Sequence, residues 1–98
     1  MIVTVFRSRP NPATTAEFVA WNARMSALAH TMPGHLSHKS FCAADGEWVT
    51  VVEFETEAHV RAWAAHPQHQ EAQALGRSTF LTEYRIQTCE VVRQHQSP

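Results

Sequence analysis

A chain of 98 residues has room for one domain of ordinary size and none for separate cofactor and substrate domains. Hydrophobic residues at 44% and charged residues at 17% argue against a disordered chain. Eight basic and nine acidic residues, a formal net charge of -1, leave no basic stripe to neutralise phosphates, so nucleic acid is not an expected partner.

Residues 2–7 alternate as a first strand, with Ile2, Thr4 and Phe6 on one face and Val3, Val5 and Arg7 on the other. After Pro10-Asn11-Pro12, Thr14 and Glu17 have capping-box spacing, and Phe18, Trp21, Met25, Leu28 and Met32 recur at helical intervals, a stripe that suits a core or a cavity wall. Pro33-Gly34 is the expected end of that helix. His35–Cys42 reads as a second strand, Asp45-Gly46 as a hairpin turn, and Trp48–Glu55 as the return strand, with Trp48, Thr50, Val52 and Phe54 sharing a face. Thr56 can cap a helix carrying Val60 and Trp63, Pro67 can start another running through Leu75 to Gly76, and Tyr84–Arg93 alternates as a fourth strand. Gln94–Pro98 is expected to fray, leaving residues 1–98 as one domain.

The order βαββαβ predicts an α+β, ferredoxin-like fold with helices on one face of a four-stranded antiparallel sheet. Apolar residues on the second face predict a homodimer that covers it. No apolar run is long enough for a membrane span and no basic leader precedes Ile2, so a cytoplasmic protein without a membrane partner is expected. Cys42 and Cys89, far apart and without a CxxC pair, are expected to be buried small hydrophobes.

Signatures of nucleotide binding and of nucleophilic catalysis are missing, and the chemistry-bearing residues concentrate between His59 and Tyr84. His59 and Trp63 stand one helical turn apart; Trp63 can stack on a flat ligand or serve as core, and His59 or His69 can move a proton or lie in solvent. His66-Pro67-Gln68-His69 offers too few ligands for a metal site, and none is expected. His35 and His38, three apart on a strand, are expected on opposite faces, as surface or interface residues.

Met32-Pro33-Gly34, Ala62-Trp63, His66-Pro67-Gln68-His69, Gly76-Arg77 and Tyr84-Arg85-Ile86, in this order and spacing, resemble the antibiotic biosynthesis monooxygenase family. The resemblance implies a dimeric α+β barrel and an enzyme that oxidises a small phenolic or polycyclic aromatic with molecular oxygen and no cofactor. On this reading catalysis is expected of His59, Trp63 and His69, and substrate contact of Phe6, Trp21, Met25, Phe54, His66, Phe80, Tyr84 and Arg85. In the quinone-forming members an asparagine precedes the tryptophan by one turn, where this chain has His59. The alternatives are a dimer that binds a small ligand or haem without catalysis, or a haem-degrading monooxygenase, although Gln73 stands where the haem-degrading members place their iron-ligating histidine.

Overall fold

A computed structural model describes residues 1–98. The opening β-branched run forms β1 (Ile2–Pro10), which continues past Arg7 until proline removes the next backbone donor. The Thr14–Glu17 capping box does not form. Asn11 takes over the entry instead, its side chain accepting from the Ala13 N–H at 3.0 Å over a short 3-10 turn (Pro12–Thr14) that leads into helix α1 (Thr15–Ala29). That helix closes at His30, ahead of the expected Pro33-Gly34 stop.

Gly34 serves the turn rather than the helix end. It adopts φ +77°, and a Cβ there would overlap the ring of His59. We therefore expect Gly34→Ala to lower stability by about 1–3 kcal/mol through combined backbone strain and steric overlap. An unchanged urea midpoint would show that the turn tolerates a side chain.

The chain continues as β2 (His35–Cys42), β3 (Trp48–Phe54), α2 (Glu57–Ala65), α3 (Pro67–Leu75), a single π-helical turn (Gly76–Phe80) and β4 (Leu81–Glu90). The second helical segment divides where the sequence implies. Thr56 Oγ1 accepts from the His59 N–H to start α2, and His66 leaves the helical conformation immediately before Pro67, which opens α3. The fourth strand lies earlier than expected and ends at Glu90, leaving 91–98 without regular structure.

The four strands form one antiparallel sheet in the order β2-β3-β1-β4, a ferredoxin-like α+β arrangement. Its helix-covered face carries Trp48, Thr50, Val52 and Phe54 from β3, with Phe6 opposite Thr50 and Thr4 opposite Val52 on β1. Met25, Ala29, Val52, Phe54 and Trp63 are the centre of the core, so α1 and α2 meet the sheet where β3 lies. The opposite face presents Val3, Val5, Val49, Val51 and Phe41, and no element of the chain packs over it.

Two sequence expectations change here. Cys42 and Cys89 are exposed, because Cys42 borders the hairpin turn and Cys89 pairs with Val3 on the face that no helix covers. His35 and His38 share a face: the pairing shifts between His35 and Ser37, so His35 lies opposite Phe54 and His38 opposite Val52. The bulge absorbs Leu36, and the odd spacing that should separate the two histidines brings both under the helices.

Candidate functional site

Between α1, α3 and the β1–β4 side of the sheet lies a cavity of about 340 Å³, lined mainly by apolar side chains. Strand β4 is its lip: Tyr84 and Ile86 face the helix side yet remain 48% and 56% exposed, because the helices stop short of this edge. The π-helical turn brings Gly76, Arg77 and then Leu81 to the same rim, as such turns often do where a helix must reshape around a site.

Trp63 anchors the interior and is 4% exposed. Core and cavity wall are therefore the same residue: it packs against the central cluster and also lines the open space. His69 lies flat on its indole, with ring centroids 4.0 Å apart and an interplanar angle of 16°. The His69 Nδ1–H donates to the Trp63 carbonyl at 2.9 Å. A carbonyl can only accept, so in the neutral ring the proton is on Nδ1 and Nε2 carries the free lone pair, with no protein partner. Burial is the main influence lowering the His69 pKa below 6.5; the Trp63 carbonyl opposes it and the charge of His66 adds to it. His69 is thus unprotonated at neutral pH and available as a base.

His38, expected at the surface, also lines this cavity, meeting Trp63 edge to face with centroids 6.4 Å apart at 87°. Its pKa falls to about 4, first because the ring is buried, then through the charges of His30, His35 and His69, with a small opposing effect of its own backbone. Near it Asn22 Nδ2 donates to Ser40 Oγ at 3.0 Å, and the Ser40 and Thr50 hydroxyls lie 2.7 Å apart. This polar strip ties α1 to β2 and β3 beside the apolar pocket. Arg77 is the one formally charged residue among those lining the cavity.

Of the residues singled out in the sequence, Phe6, Trp21, Met25, Phe54, Trp63, His69 and Tyr84 come together around this space. His59, His66, Phe80 and Arg85 do not. The His59 ring covers Gly34, and its Nδ1 is within hydrogen-bonding distance of Thr56 Oγ1 at 2.8 Å. Because that hydroxyl also accepts from the His59 N–H, its own hydrogen is free to go to Nδ1. His66 Nδ1 accepts from the Gln68 N–H at 3.2 Å, so the ring caps α3. Phe80 is buried beside Trp21, and Arg85 belongs to the opposite face of β4, across from Arg7. Hairpin register is the signal that would have found His38. Counting back from Asp45-Gly46 pairs Cys42 with Trp48, Ser40 with Thr50 and His38 with the core residue Val52.

Acid should destabilise the protein through these histidines. His35, His38 and His69 all have pKa values lowered in the fold, mainly by burial, whereas in the unfolded chain they titrate near 6.5. Between that value and the folded one near 4 for His38, the unfolded state binds more protons, so stability is complete above about pH 6.5 and falls as pH drops. With allowance for water at the partly open rings, we expect a loss of about 1 kcal/mol between pH 7 and pH 5, seen as a Tm lower by roughly 4–8 °C. A flat Tm across that range would show that the rings are solvated.

The family model described as antibiotic biosynthesis monooxygenase matches residues 1–75. YqjZ, an uncharacterised protein of Bacillus subtilis (strain 168), is 35% identical over 71 residues, which span 72% of this chain and 62% of that protein. Among solved structures, Rv0793 from Mycobacterium tuberculosis superposes with a TM-score of 0.87 at 17% identity, covering 97% of this chain and 98% of that one. A variant of SnoaB, a cofactor-independent oxygenase from Streptomyces nogalater, superposes at 0.82 with 20% identity, covering 95% and 94%. At those identities the structural likenesses establish the fold.

Proposed function

The chain belongs to the antibiotic biosynthesis monooxygenase family, and on that premise we propose that it oxidises a small phenolic or polycyclic aromatic with molecular oxygen and without a resident cofactor. The observation that carries this reading is His69: a neutral imidazole held flat on Trp63, with its Nε2 lone pair uncommitted in an apolar cavity. Such a base can take an acidic hydrogen from a ring carbon or hydroxyl, leaving the electron pair on the substrate. The resulting anion is electron-rich enough to give electrons to oxygen directly. For a ring methylene the balance is CH2 plus O2 to C=O plus H2O, one oxygen atom entering the product and the other leaving as water. Trp63, Phe6 and Tyr84 supply flat apolar walls, and Arg77 at the rim favours the anionic form.

We do not adopt haem, the alternative cofactor: the imidazoles lining the cavity are His38 and His69, while the position at which the resemblance puts the iron ligand holds Gln73. Gln73 lines the cavity with an amide rather than an imidazole, and its Nε2 is directed to the Ala64 carbonyl at 3.5 Å. The open face of the sheet supports a homodimer as part of the same proposal, since Val3, Val5, Val49, Val51 and Phe41 would otherwise form a contiguous apolar surface in water.

Oxygen uptake measured with a panel of hydroquinones and fused-ring ketones tests the reading. Uptake that saturates with one class supports it. Saturable ligand binding without uptake would make the protein a binding module, and a Soret band on haem titration would reverse the judgement on haem.

A further inference from the structure

Charge around the cavity is of one sign only. The lining holds no carboxylate, and its two imidazoles, His38 and His69, are kept uncharged mainly by burial. The remaining ionised group is Arg77, exposed on the π-helical turn between α3 and β4. The chain's ion pairs engage Arg7, Arg9 and Arg61 with Glu47, Asp45, Glu83 and Glu57, and none includes Arg77. A ligand entering this space therefore meets an unneutralised cation at the rim and flat apolar walls within, ending at the buried indole of Trp63.

We propose that Arg77 is a specificity-determining anchor for a single carboxylate, so that the ligand is an aromatic acid whose rings enter toward Trp63 and whose acid group stays at the rim. This deepens the function proposed above and rests on it. A guanidinium matches a planar carboxylate because its fork of N–H groups can donate to both oxygens. Its five donors leave one edge free for a ring oxygen as well. The charge count limits the ligand: one cation suits one negative charge, and a phosphate carrying nearly two would find no second cation. Position limits it too. At the exposed rim the acid group keeps most of its hydration, whereas carried inward it would lie against buried Trp63 without a partner charge. The anchor thus fixes which end of the ligand leads, and with it which ring atoms reach His69 Nε2.

The test compares 2-naphthoate, ionised at neutral pH, with 2-naphthamide, its uncharged analogue of the same shape, by calorimetric titration of the wild type, Arg77→Gln and Arg77→Glu. The wild type should prefer the acid by about tenfold, the low end for a hydrogen bond to a charged group because the rim is open to water. That preference should fall severalfold as salt rises from about 0.01 M to about 1 M, where the Debye length shortens from roughly 30 Å to roughly 3 Å. Arg77→Gln should bind acid and amide alike, at the wild-type affinity for the amide, and Arg77→Glu should prefer the amide. Circular dichroism verifies that each variant is folded. Equal binding of the two ligands by the wild type, an acid preference that salt leaves unchanged, or one that survives in Arg77→Gln overturns the role of Arg77 while leaving the cavity reading intact. No saturable binding of either ligand by the wild type overturns the cavity reading itself and this inference with it.

Discussion

Exchanging His69 for phenylalanine should reduce oxygen uptake by roughly 10²–10⁴-fold, the range for loss of a positioned general base. Phenylalanine is the informative choice because it keeps a flat ring of similar size against Trp63, so the stack at 4.0 Å has a replacement. The Trp63 carbonyl is not orphaned, since it also accepts from the His66 N–H at 3.1 Å. The variant therefore loses Nε2 and little else, and its Tm should stay within a few degrees of the wild type, the shift for about 1 kcal/mol or less. His59→Ala is the contrast: His59 packs on Gly34 and Thr56 outside the cavity, and its removal should alter stability more than turnover. If His59→Ala abolished uptake and His69→Phe did not, the base would have been assigned to the wrong histidine.

That contrast marks where sequence reading was sound and where it failed. Elements with strong local signals were legible: the β-branched run at Ile2, the Asp45-Gly46 turn, the Thr56 cap and the Pro67 break each act over a few residues. From them followed the element order and the ferredoxin-like sheet. Most of the apolar cavity wall was legible too, because the α1 stripe and the alternating faces of β1 and β3 both point to the helix side.

Histidine roles were harder, because they depend on tertiary contacts that spacing does not encode. His59 has the right interval from Trp63, but the positive φ of Gly34 brings another segment beneath its ring. His38 was misplaced because a single bulge at Leu36 inverts the strand parity before it, an effect visible only once β2 is registered against β3. Asn11 replaced Thr14 at the entry to α1 for a similar reason: two prolines within three positions favour a short 3-10 turn, whose own cap precedes the helix.

Trp63→Ala should be the most damaging substitution for stability, costing about 3–5 kcal/mol, the range for truncating a buried aromatic. The indole contributes to the one cluster joining α1, α2 and the sheet, through Met25, Ala29, Val52 and Phe54, and His69 and His38 rest on it as well. A small domain has roughly 5–15 kcal/mol in total, so thermal unfolding should move down by on the order of 15–30 °C. Turnover lost in this variant would by itself say little, since a half-unfolded protein is inactive for any reason. Trp63→Phe separates the two roles: it keeps an aromatic core residue and should retain most of the stability, while the smaller ring gives His69 less surface to lie on. If uptake falls in Trp63→Phe at a temperature where the variant is fully folded, the indole positions the base as well as filling the core. A Trp63→Ala protein that melts within a few degrees of the wild type would instead mean that the cavity wall can collapse around the missing ring, and that the core is centred on Phe54 and Met25.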